Sequence, residues 1–243
     1  MIENLASREM KKYSQNGEDG ILLALLETMP DVPHVAVEFG VGNTLECNTR
    51  ILKDAGWECH WFDGGGACEG VRQVRLTPEN INDEMDAAGV PAELGVLSVD
   101  VDGQDYWLWR AFARRAAVVI CEYNGYLPLG CYPVTVPRSN DFAWDGSDYF
   151  GCSLLAIARL APTKGVELVY CEKTGTNAFF ARGAQPSDPR ALYVPQMRTG
   201  LLPRHGLGPW QWVNADGEPG ELVKMDWLLF SESPKCWQVI HAR

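Results

Sequence analysis

The run Val35-Ala36-Val37-Glu38-Phe39-Gly40-Val41-Gly42 constrains this chain more than any other segment. It reads as a buried strand that breaks into a Gly-x-Gly turn, where glycine lets the backbone bend sharply and come close to a ligand. About 20 residues further on, a second strand (Cys59-His60-Trp61-Phe62) ends in Asp63, an acid placed to accept hydrogen bonds from a ribose diol. This succession implies an α/β sheet with a nucleoside-containing cofactor at its mouth.

The remaining pattern fits such a sheet. A polar stretch, Ser14 to Gly20, feeds an apolar helix that reaches residue 29. Strand one covers about 34–39, a helix runs from about Glu46 to Ala55, and strand two covers 58–62. Gly64-Gly65-Gly66 precede a short strand near Val71–Leu76, and Glu79–Ala88 reads as a helix. Gly95–Asp100 is a strand, Asp105–Arg115 a helix, and Ala117–Glu122 the most continuous apolar strand. Apolar runs alternating with helices imply a parallel sheet covered on both faces. A helix over Cys152–Leu160 leads to Val166–Glu172 and Asn177–Arg182, which read as an antiparallel hairpin closing the sheet. The reading is one domain, with a core over 1–185 and an irregular Pro-, Gly- and Trp-rich extension over 186–243. Its tryptophans are costly to leave in water, so the extension is expected to pack on the core or, through Trp210, Trp212, Trp227 and Trp237, to bury a homodimer surface.

Composition excludes some functions. A net charge of −11 argues against sequence-independent nucleic-acid binding, which needs a cationic face. No apolar run is long enough to span a membrane, and Met1-Ile2-Glu3-Asn4 shows no charged-then-apolar leader. A soluble, cytoplasmic protein is expected. The eight cysteines form no Cys-x-x-Cys pair, which disfavours a zinc site or a disulfide framework. The four histidines form no constellation, and Ser153 lies outside a Gly-x-Ser-x-Gly elbow, so a serine hydrolase is disfavoured.

Glu38, Asp63, Asp100 and Glu122 each close a strand, and open α/β sheets bind ligands beyond those ends. Asp102 and Asp105 follow Asp100 directly, and Asn124 follows Glu122 at the spacing that keeps strand side chains on one face. No lysine or arginine lies between Gly95 and Trp109. Like charges so close raise one another's pKa unless a cation compensates. A divalent metal with oxygen ligands is one candidate, and a cofactor carrying a sulfonium and an ammonium is another. Asp102 and Asp105 can equally serve a turn whose carboxylates cap the next helix.

Several segments resemble a group of class I S-adenosylmethionine-dependent methyltransferases related to the FkbM-like enzymes. They are Tyr13–Gly20, Val37–Gly42, Glu46–Arg50, Leu97–Gly103, Glu122–Asn124, Tyr149–Ser153 and Gly175–Phe180, so the resemblance covers about residues 13–182. It implies a Rossmann-like, mostly parallel seven-stranded sheet with a C-terminal antiparallel hairpin. It also implies that Glu38, Gly40 and Gly42 line the methionine part of the cofactor, with Asp63 on the ribose. Gln15, Glu79, Asn80 and Asp100 complete the expected cofactor contacts. Thr44 stands where such loops commonly carry a third glycine, and Leu45 falls where a nicotinamide-binding Gly-x-Gly-x-x-Gly would need one. A looser similarity is to the catechol-type, metal-dependent O-methyltransferases. It implies a magnesium or other divalent ion held by Asp100 or Asp102 with Glu122 and Asn124, Asp100, Asp102 and Glu122 being the catalytic acids.

The loop over 125–150 follows the fifth strand directly and is too long for a mere connection. Tyr126, Trp144, Asp145 and Tyr149 are its candidate contacts to the acceptor, although an aromatic lid packed on the core explains the same residues. The expected activity is S-adenosylmethionine-dependent methylation of a small molecule at oxygen, assisted by a divalent metal. The alternatives are N-methylation or other chemistry on the same cofactor without metal, and a non-catalytic binding module.

Overall fold

The computed structural model describes residues 4–65, 68–127, 133–196, 212–215 and 222–223. Its elements in chain order are α1 (Glu18–Glu27), β1 (Val35–Phe39), α2 (Arg50–Asp54), β2 (Glu58–Asp63), β3 (Val71–Gln73), α3 (Ile81–Ala87) and β4 (Glu93–Val99). They continue with α4 (Asp105–Ala111), β5 (Arg115–Glu122), β6 (Val134–Thr135), α5 (Leu154–Leu160), β7 (Glu167–Cys171), β8 (Asn177–Ala181), α6 (Pro189–Leu192), β9 (Trp212–Asn214) and β10 (Leu222–Val223).

Seven strands form one Rossmann-like sheet in the order β3-β2-β1-β4-β5-β8-β7. The pairs from β3 through β5 are parallel, and β8 runs antiparallel to both β5 and β7. The expected mostly parallel sheet and its closing hairpin are therefore present. Chain order reverses between β1 and β4, which opens a crevice beyond their C-terminal ends.

Alternation along the strands explains the layers. Val37, Val119 and Phe180 pack on one face with α3, α4 and α5; Ala36, Val118 and Phe179 pack on the other with Ile21, Leu22 and Leu25 of α1 and Ile51 and Leu52 of α2. The α1 start is built by its own acids. Asp19 accepts from the amides of Lys12, Tyr13 and Ser14 and from the Ser14 hydroxyl, and Glu18 accepts from the Asn16 amide. Both carboxylates sit in the first turn, where the helix dipole favours negative charge.

Several boundaries differ from expectation; the helix expected over Asp105–Arg115 ends at Ala111, and Arg115 already begins β5. The helix expected from Glu46 begins only at Arg50, because the amides of Asn48 and Thr49 donate to the Glu38 carboxylate instead of to a helical turn. The C-terminal stretch, expected to be irregular, supplies β9, which pairs with β6 and β10 in a separate small antiparallel sheet. A three-residue strand carries too little periodicity to be read from sequence. Trp212 is buried on it, edge-on to Tyr149 at 5.1 Å, as its apolar surface requires. Trp210, Trp227 and Trp237 lie outside the described residues, and with them the homodimer surface. Among the described residues no helix is long and apolar enough to cross a membrane.

Phe180 is fully buried on β8, 5.0 Å from the Trp109 ring. Phe180→Ala is expected to cost about 3–5 kcal/mol. In a urea titration this reads as a lowered midpoint at unchanged slope.

Candidate functional site

At the crevice the backbones of β1 and β4 come unusually close. Gly40 has φ +81°, and a Cβ there would lie 1.5 Å from the Asp100 carbonyl oxygen. The Gly40 amide donates to Phe62 O at 2.9 Å, and the Asp100 amide donates to Phe39 O at 3.2 Å. Only glycine permits this approach. Thr44, in place of a further glycine, itself adopts the left-handed conformation at φ 64°.

Two lobes flank this junction. The first, of about 490 Å³, is lined by Gln15, Glu38, Gly40, Val41, Gly42, Asn43, Leu45, Glu46, Asn48, Asp100, Asp102, Glu122, Trp144 and Asn177. No lysine, arginine or histidine is among these residues. The second, of about 450 Å³, is walled by Phe39, Phe62, Val74, Leu76, Leu108 and Phe142 and by the polar Asp63, Arg75, Gln104, Ser139 and Asn140. Gly40, Gly42, Asp100, Asp102 and Trp144 belong to both. The loop over the second lobe is pinned from below. Gln104 bonds Pro137 O and the Ser139 amide, Arg75 donates to Phe142 O at 2.5 Å, and the Phe142 ring fills the space left by Gly103.

The strand-end acids converge, but they do not do the same work. Glu38 is buried and accepts from the Asn48 amide (2.8 Å), the Thr49 amide (2.7 Å), the Thr49 hydroxyl (2.6 Å) and the Cys47 thiol (3.1 Å). Burial pushes its pKa up, against the downward pull of these donors. Glu38 therefore lines the lobe while shaping its rim. Asp63 accepts from the Gly42 amide (2.7 Å) and the Gly65 amide (2.6 Å), locking the glycine turn to β2. Asp105 caps the Asp100–Gly103 turn by accepting from the amides of Val101 and Gly103. Its burial raises its pKa to about 6.

Asp100, Asp102 and Glu122 form the tightest group: one oxygen from each lies within 4.8 Å of the others. Asp102 is exposed, Asp100 half-buried and Glu122 buried. Asp102 holds φ +54°, a strained position for a side chain with a Cβ. Unit charges about 4 Å apart repel by about 4 kcal/mol at an effective dielectric constant near 20.

Other expected residues do not reach the lobes. Asn124 donates to Asp148 O and Phe150 O and accepts from the Tyr126 amide, so its carboxamide holds the loop and is not turned toward the acids. The reason is that β5 ends at Glu122, and the two-residue strand spacing does not carry into the turn beyond it. Glu79 is exposed and pairs with Arg138, and Asn80 bonds the Thr77 amide and Arg75 O; neither lines a lobe. Of the acceptor candidates, Trp144 alone lines the lobes, its indole donating to Ser147 O. Asp145 accepts from the Ser147 amide, Tyr149 packs on Phe142 and Trp212, and Tyr126 lines neither lobe. Gln15 does reach the first lobe.

Asn177 was not singled out by sequence. It is the first residue of β8, directly opposite Glu122 in the antiparallel register, and it lines the acidic lobe. The only signal was its place in the Gly175–Phe180 segment. His34 stacks on Trp57 and His60 pairs with Glu58, so neither serves the site; His205 and His241 lie outside the described residues.

Compared with protein-family models, curated proteins and solved structures, the chain matches none.

Gly40→Ala is expected to force β1 and β4 apart at the junction. Strain in the left-handed conformation alone costs about 1–3 kcal/mol, and the clash adds to it. Chemical denaturation measures the loss.

Proposed function

We propose that this chain is an S-adenosylmethionine-dependent methyltransferase acting on an oxygen atom of a small molecule. The observation that carries this reading is the pairing of two unlike lobes across one glycine junction at the sheet's switch point. The second lobe, which joins an apolar wall of Phe62, Val74, Leu76 and Phe142 to polar groups including Asp63 and Asn140, suits an adenosine, with the base against the apolar wall and the ribose toward β2. The acidic lobe suits the ammonium and sulfonium of a methionine arm. A sulfonium carries a positive charge it cannot lose as a proton, so a lobe whose described lining holds carboxylates and no lysine or arginine favours it over a neutral thioether. The resemblance of residues 13–182 to class I methyltransferases points the same way.

Methyl transfer is an in-line displacement in which the acceptor oxygen attacks carbon and sulfur leaves as a neutral thioether. The protein's main task is alignment. Gly40 and Gly42 allow the cofactor arm to lie against the backbone, while Trp144 lines both lobes. A hydroxyl acceptor must also lose a proton. Asp100, Asp102 and Glu122 are grouped beside the junction, where a carboxylate can take it. An amine acceptor in its neutral form needs no such base, and the grouped acids therefore favour oxygen.

Calorimetric titration with S-adenosylmethionine is expected to give one site per chain. Asp63→Asn is expected to weaken it about ten- to a hundredfold, the worth of a hydrogen bond to a charged group. A thermal melt of the variant checks that the Gly42 turn still folds. Absence of binding at millimolar cofactor overturns the reading and leaves a non-catalytic binding module.

A further inference from the structure

In a chain of net charge −11, a place where cations gather without acids needs an explanation. Such a place lies between α4 and α5. Tyr106 and Arg110 of α4, Arg159 of α5, and Thr163 and Lys164 of the short helical turn Ala161–Lys164 line a cleft of about 300 Å³. It shares no lining residue with either lobe of the crevice. Among the described residues its lining holds three cations and no acid.

Two of these cations are held in position. Lys164 is half-buried, and its Nζ donates to Arg110 O and Phe112 O, both at 2.8 Å, at the end of α4. An ammonium has three protons to donate, so one remains. The Arg110 guanidinium lies over the Trp107 ring, 5.7 Å from its centroid. Among the described residues neither Arg110 nor Lys164 has a carboxylate in ion-pair contact. Burial and the neighbouring Arg110 charge lower the Lys164 pKa to about 8, as expected where like charges meet without an anion between them. The hydroxyls beside them are already spent. Tyr106 donates to Ala215 O at 2.8 Å, and Thr163 donates to Leu160 O at 2.7 Å. What the cleft offers a ligand is therefore charged N–H donors.

Those donors select the ligand. A guanidinium presents a planar fork that fits two oxygens of one anion, and an ammonium adds a point charge. More than one positive charge favours a dianion over a carboxylate. A cleft of about 300 Å³ lies at the lower bound of small-molecule sites. We infer that this cleft binds a phosphate dianion, as the free ion or as the phosphoryl group of a small phosphomonoester, with Arg110 and Lys164 as its principal donors. The site is separate from the crevice and does not rest on the methyl-transfer reading.

The test is calorimetric titration of the whole chain at low ionic strength with inorganic phosphate, repeated with phenyl phosphate and with acetate. Phosphate is expected to bind at one site per chain with sub-millimolar affinity, and acetate at least about tenfold more weakly. Arg110→Gln and Lys164→Gln are each expected to weaken phosphate about tenfold or more, Lys164→Arg to keep most of the affinity, and Arg8→Gln, on the opposite face of the sheet, to change nothing. Thermal melts check folding. Arg110 is exposed on α4, so its variant keeps the test decisive if Lys164→Gln unfolds. No phosphate bound at millimolar concentration overturns the site, and so does affinity unchanged in both glutamine variants. Acetate bound as tightly as phosphate overturns the choice of a dianion. Phenyl phosphate bound as tightly as phosphate or tighter assigns the cleft to a phosphomonoester, and weaker binding assigns it to the free ion.

Discussion

The contact between the ends of β1 and β4 governs this molecule. Gly40 leaves 1.5 Å between a virtual Cβ and the Asp100 carbonyl, so the two strands meet there only because one residue has no side chain. That meeting closes the floor of the crevice and divides it into two lobes. It also places Asp100 on the dividing wall, where it faces both. A bulkier residue would separate the strands, and neither lobe would keep its shape. The Asp63 bond to the Gly42 amide holds the other limb of the same turn against β2.

A chain with 32 acids and 21 lysines and arginines has to place many carboxylates without cationic partners. Most of the buried ones here are answered by backbone amides. Asp19 gathers the amides before α1, Glu38 those of Asn48 and Thr49, Asp105 those of the Asp100–Gly103 turn, and Glu172 those of Thr174, Thr176 and Asn177. Such acids are structural clasps, their charge answered by N–H dipoles. Asp100, Asp102 and Glu122 differ in having one another as close neighbours. Residue type alone therefore does not say which task an acid performs.

This distinction marks how far sequence could reach. The strand-end positions of Glu38, Asp63, Asp100 and Glu122 were legible, because apolar runs of strand length locate their own ends. The sheet and its hairpin followed from the same periodicity. What lay beyond the strands was not legible, since no period governs a turn. Glu38 could be placed at the crevice, but not its grip on Thr49, which shortens α2 to five residues. Asn124 had the right spacing for a ligand only if β5 had continued. Asn177 depends on a register between β5 and β8 that residues 123–176 must fold to create. Thr44 was identified as a departure from a glycine pattern, and the backbone there takes the glycine-like conformation all the same.

The hairpin thus does more than close the sheet. An antiparallel strand beside β5 puts the first residue of β8 opposite the last residue of β5, and Asn177 at that position lines the same lobe as Glu122. Asn177 is fixed there from two sides. Glu172 takes its amide and those of Thr174 and Thr176, setting the turn, while Glu18 at the start of α1 takes its side-chain nitrogen. Glu18 is held in turn by the Asn16 amide, one residue from Gln15 at the lobe's edge. A carboxamide supported this way keeps little freedom, which is the advantage of a position built on strands rather than loops. The polar segment before α1 and the hairpin turn, distant in sequence, form one support for one side chain.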